Sequence, residues 1–162
     1  MALQIMTWLV AIPLLGVVTG MRSLTAFAVF CWFVHADSLP LDDTWAAWVG
    51  KLSTCIIVTV LALAELVVDK LPKTPNRTAP GPLLARVVIG GMLGWMVAMG
   101  LEGSDLEGII LGVGGALIGA FAGFLIRREL VIRNGGKDWP VAVAEDVSAI
   151  LGAIFAMGVI TG

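Results

Sequence analysis

Apolar stretches of about twenty residues, separated by short polar runs, make up most of this chain. A stretch of that length crosses a bilayer core as a helix rising 1.5 Å per residue. Of the 162 residues 59% are hydrophobic and 14% charged, whereas soluble domains carry about 25% charged residues. One small globule cannot hide that excess, because roughly half of its surface stays polar. The continuous Leu, Val, Ala and Gly runs also lack the dyad alternation of membrane barrel strands. The chain therefore reads as all-α, a polytopic transmembrane helical bundle of about five spans, with residues 1–162 as a single integral membrane domain.

Residues 2–34 are too long for one straight span and too short for two with a loop between them. Pro13, Gly16 and Gly20 mark where the segment bends. One long tilted or broken helix is expected, with a re-entrant helical pair as the alternative. No Lys or Arg precedes Arg22, so the positive start of a signal peptide is missing and the segment is expected to stay as an anchor. Further spans are expected over about 52–70, 82–101, 108–126 and 140–162.

Between them, the loops at 35–51 and 102–107 are acidic, the first carrying Trp45 and Trp48 at an interface. The loops at 70–86 and 127–139 are basic. Short cytoplasmic loops are rich in Lys and Arg, which puts both basic loops, and with them the N-terminus, in the cytoplasm. A re-entrant first segment would move only the N-terminus to the other side. The basic loops also suit anionic lipid headgroups.

Glycine patterning signals close helix packing. Gly108, Gly112, Gly115, Gly119 and Gly123 form one stripe, Gly90, Gly94 and Ala98 a second, and Ala149, Gly152 and Ala156 a third. Small residues let backbones approach where no hydrophobic effect drives association. The expectation is a tight bundle or a homo-oligomer face, with a backbone-lined pore as the sharper alternative. An internal echo accompanies it. P-L-L-G-V-V-T-G at 13–20 resembles P-L-L-A-R-V-V-I-G at 82–90, and L-A-L-A-E-L-V at 61–67 resembles V-A-V-A-E-D-V at 141–147. Internal repeats recur in transporter folds.

Charges inside apolar spans are expensive unless paired or hydrated. Glu65 and Asp69, four apart, share a helix face. Glu145 and Asp146 lie inside the last span, and Arg22 lies deep in the first. Prolines stiffen the loop around Arg77. The candidate ion- or substrate-binding residues are therefore Arg22, Glu65, Asp69, Arg77, Arg86, Glu145 and Asp146. Arg22 is expected to serve as counter-ion to Glu65 or Glu145. This points to a small transporter or permeation protein with a cytoplasm-facing polar site for an ion, a small solute or a lipid headgroup. A structural ion-pair network is the alternative. A second is a metal-dependent enzyme holding a divalent ion between Glu65, Asp69 and Glu145 to act on a lipid phosphate. No P-loop, GxSxG or HExxH motif occurs, so no catalytic residue and no cofactor is singled out. His35 has no partner at motif spacing, Cys31 and Cys55 lack CxxC spacing, and no basic patch interleaved with aromatics suggests nucleic acid.

G-M-R-S at 20–23, A-E-L-V-V-D-K-L-P-K-T-P-N-R-T at 64–78 and the following P-L-L-A-R with its glycine-rich span resemble a family of small bacterial inner-membrane proteins catalogued only as a domain of unknown function. The resemblance covers most of the chain and implies a multi-helix integral membrane protein. It implies no activity.

Overall fold

The structure, a computed structural model, describes residues 7–70 and 78–162. Every regular element among them is helical. A π-helical turn Thr7–Ala11 leads into α1 (Ile12–Met21) and α2 (Ser23–His35), a 3-10 turn Ala47–Gly50 precedes α3 (Leu52–Val68), and α4 (Pro80–Gly100), α5 (Asp105–Arg133) and α6 (Asp138–Thr161) follow. Pro13 and Pro80 stand in the first turns of α1 and α4, where a missing N–H breaks no helical bond. Ser104 caps α5, with Asp105 and Glu107 in its first turn. Helix α5 outruns the span expected at 108–126 and carries Arg127, Arg128 and Arg133 as helical residues rather than as loop. Arginine is a good helix former and sits well near a helix C-terminus. The helix stops where Gly135 and Gly136 take φ angles of 67° and 82°.

Helices α4, α5 and α6 are long and apolar enough to cross a membrane. The stretch expected as the second span is the 17-residue α3, about 26 Å long. Residues 12–35 do not form one helix, because Arg22, with φ −143° and ψ 93°, is extended and separates α1 from α2. The break lies beyond all three residues read as bends.

Packing registers give the helix directions. A β-carbon on Gly94 would strike the Gly108 carbonyl and one on Gly112 the Gly90 carbonyl, so α4 and α5 are antiparallel. Gly16 lies against Gly112 and Gly115, and Gly20 against Ala116 and Gly119, so α1 runs with α5. Glu65 reaches Ser23 while Cys55 bonds Cys31, so α2 and α3 are antiparallel. Arg86 bonds Gly20 and Met21 while Leu39, just past α2, covers Gly100. Helix α2 therefore runs with α4, against α1, and the chain folds back on itself at Arg22.

Helix α5 is thus gripped on two sides by backbone-to-backbone contacts, with α4 on one flank and α1 on the other. The small-residue stripes on α4 and α5 pack against each other within the chain, while Gly152 on α6 lies against Val18 of α1. The two P-L-L echoes share this role, since both α1 and α4 lie on α5 through their glycines. At the end of the bundle remote from Arg22, the segment after α2 folds inward and buries Leu39, Leu41, Ala46 and Val49. There Trp45 lies on Trp95, ring centroids 4.8 Å apart, and Trp48 meets Phe27 edge-on. Both loop tryptophans stay half-exposed, as interfacial residues do. Cys31 and Cys55 are buried and free.

Candidate functional site

The break at Arg22 leaves two helix ends inside the bundle, and each needs partners for its backbone groups. The carbonyls of Gly20 and Met21, at the end of α1, accept hydrogen bonds from Arg86 Nη1 at 2.9 and 2.6 Å. At the start of α2, the Glu65 carboxylate accepts from Ser23 N at 3.1 Å, Ser23 Oγ at 2.8 Å and Leu24 N at 2.9 Å. A cation thus faces a helix C-terminus and an anion a helix N-terminus, the signs the helix dipole favours. Arg86 stands in the second turn of α4 and Glu65 in the last turn of α3, so sequence-distant helices supply the two caps.

Arg22 itself is fully buried. Its Nη1 donates to Asp69 Oδ2, and its Nη2 lies 2.8 Å from Asp146 Oδ1. That second pair is close but poorly aligned for a hydrogen bond, and Arg22 Nε has no acceptor among the described residues. Lys70 Nζ donates to the other Asp146 oxygen at 2.7 Å, and Arg86 Nη2 stands 3.8 Å from Asp69. Arg86 and Asp146 are 5% and 6% exposed, whereas the side chains of Asp69 and Lys70 keep 18% and 36% of their surface accessible. The cluster is closed on its α1 and α6 sides and open toward the end of α3.

Of the residues singled out from the sequence, Arg22, Glu65, Asp69, Arg86 and Asp146 meet in this cluster. Glu145 stands beside it and pairs with Arg127 at 3.3 Å, while Arg127 also forks onto Asp138. Arg77 lies outside the described residues. The expected pairing of Arg22 with Glu65 or Glu145 is corrected to Asp69 and Asp146. Helix α3 runs against α2, so Glu65 reaches the α2 backbone and Asp69, one turn farther on, reaches the break. Adjacent residues on a helix point about 100° apart, so Asp146 faces Arg22 and Glu145 faces Arg127.

Sequence reasoning missed Ser23, Lys70 and Thr25. The first lay in the quoted G-M-R-S string and the second beside Asp69. Thr25 carried no sequence signal, since its importance comes from the break. Hydroxyls elsewhere in the bundle bond the carbonyl four residues back, as Thr19, Thr59, Ser148 and Thr161 do. For Thr25 that carbonyl belongs to Met21, across the break and taken by Arg86. Its Oγ1 is buried and has no partner among the described residues.

Two cavities lie between the helices. One of about 200 Å³ lies between α1, α5 and α6, walled by Val17, Gly119, Gly123 and Ile126, with Arg127 and Glu145 at its rim. The other, about 170 Å³, lies between α2, α3 and α6 and is lined by Thr25, Trp32, Thr59, Leu66 and Ile150. Among the described residues no three His, Cys, Asp or Glu side chains converge as metal ligands. Glu65, Asp69 and Glu145 each answer to a different partner.

Among the described residues, fold and site define an all-helical bundle with three helices of membrane-crossing length and a buried charged cluster at a helix break. Comparison of the chain with protein-family models, with curated proteins and with solved structures gave no match.

Proposed function

We propose that the protein is a small multi-pass transporter or permeation protein of a bacterial inner membrane, working through the charged cluster at Arg22. The observation that carries this reading is the broken helix. Secondary transporters build their sites from discontinuous helices whose exposed ends meet charged groups within the membrane, and buried ionisable residues in apolar spans are functional by default. Here both ends of a break meet side-chain charges, beside carboxylate and ammonium groups that keep a path outward.

In this reading α3 through α6 cross the bilayer, while α1 and α2 form a re-entrant pair that enters from the outside and turns at Arg22. The basic segments around Lys70, Arg133 and Lys137 face the cytoplasm, where they suit anionic headgroups. Because the chain reverses, its N-terminal side then lies outside, and the cytoplasmic N-terminus expected for a single first span is given up. The outward face of α3, with Ile56, Ile57, Val60 and Leu63 exposed, meets acyl chains or a second copy of the chain.

A structural reading is favoured by one observation, that Asp69 and Asp146 both pair with cations. Flux in proteoliposomes separates the two. Transport predicts uptake of an ion or small solute by wild type and its loss in Glu65→Gln. No flux across a broad panel of ions and solutes would retire the transporter reading in favour of the structural one.

A further inference from the structure

Resting on that reading of the cluster as the working site, we propose that the site takes an oxyanion carried on an alkyl chain, and that Glu65 occupies the headgroup position as an internal stand-in. A carboxylate held by two backbone N–H groups at a helix N-terminus and by a serine hydroxyl is bound as a free carboxylate or phosphate would be. The carboxylate belongs to a different helix, and Glu65 is only partly buried, so it can swing outward without α2 moving.

Two further observations point to a ligand. Arg22, fully buried and standing immediately before α2, keeps Nε without an acceptor among the described residues. Thr25, 5% exposed, has a hydroxyl with no partner among the described residues and lines the cavity between α2, α3 and α6. That cavity has no charged residue in its lining, but it reaches the turn of α3 that carries Glu65 and the first turn of α2. Leu66 is the chain neighbour of Glu65, Thr25 lies in the first turn of α2, and the lining continues along α2 to Trp32, about 14 Å from Ser23. Its walls are apolar apart from Thr25 and Thr59, and Thr59 is satisfied by Trp32 and the Cys55 carbonyl. A polar head at the α2 N-terminus with an aliphatic tail lying toward Trp32 fills both halves.

The chemistry is shared by fatty carboxylates, alkyl phosphates and free small oxyanions, and binding separates them. Wild type, Glu65→Ala and Thr25→Val, each reconstituted in nanodiscs, are titrated with dodecanoate, dodecyl phosphate, dodecylammonium, acetate and inorganic phosphate by calorimetry. In parallel, ω-bromododecanoate reports contact through quenching of Trp32 fluorescence, with Trp32→Phe as the control. Removal of the stand-in in Glu65→Ala should raise affinity for dodecanoate and dodecyl phosphate at least tenfold. Thr25→Val, close in shape and safe for folding, should lower it severalfold in the wild-type background. Acetate and phosphate should bind at least tenfold more weakly than their long-chain forms.

Glu65→Ala that binds no better than wild type while Thr25→Val also changes nothing would overturn the proposal. Equal binding of acetate and dodecanoate would overturn the tail, and preference for dodecylammonium would overturn the anion. Flux is not the readout, so the two readings fail separately. Binding without flux retires transport alone, and cation flux without anion binding retires this site alone.

Discussion

Arg22 is the side chain on which the most depends. Two carboxylates, Asp69 just past α3 and Asp146 on α6, point at its fully buried guanidinium. Removing one partner of a buried pair leaves an uncompensated charge at a cost of about 3–5 kcal/mol. Arg22→Ala is expected to destabilise the protein by about that amount, read as a lower midpoint in denaturant or thermal unfolding. Arg22→Lys should recover only part, because an ammonium cannot fork to two carboxylates as a guanidinium does. The surface pair Arg133–Glu129, with side chains 74% and 56% exposed, is the contrast. Arg133→Ala should stay within about 0.5 kcal/mol of wild type. That these charges would share one site was legible, because each lies within or at the edge of an apolar span where it needs a partner. Which charge meets which was not. The choice between Glu145 and Asp146 turns on the rotation of α6, and a helix apolar on most faces leaves that rotation unmarked in the sequence.

Among the helices, the sequence marked small residues correctly and one of their purposes wrongly. Gly16 and Gly20 read as bends, yet both lie inside or at the end of an intact α1 and serve close approach. A β-carbon on Gly16 would stand 2.6 Å from the Gly112 carbonyl. The bend falls at Arg22, where partners for both helix ends stand ready in Arg86 and Glu65, and such partners come from tertiary structure that no local pattern reveals. Gly114, by contrast, faces open space within α5. Gly112→Val should therefore destabilise by about 1–3 kcal/mol or more through forced separation of α4 and α5. Gly114→Ala should be neutral or stabilise by up to about 1 kcal/mol through reduced unfolded-state entropy. Equal effects at the two positions would mean that the stripe on α5 is not what holds the bundle.

For the molecule as a whole, helical class was legible from composition and run length, while the path of the first segment was not. The residues before and after the break have the same apolar character, and only packing against α5 and α3 shows that they run in opposite senses. The consequence is a topology that can be labelled. Cys31 and Cys55 are buried, so a membrane-impermeant thiol reagent should leave wild type unmodified and report introduced cysteines alone. Ser38→Cys, at an exposed turn beyond α2, and Gly162→Cys, at the far end of α6, should react from one side of the membrane, and Lys137→Cys from the other. An epitope added before Met1 decides the path of the first segment. If α1 and α2 fold back at Arg22 within the bilayer, the tag is reached from the side of Ser38. If the segment crosses once, the tag appears with Lys137, and the re-entrant pair together with the site built on its break would have to be abandoned.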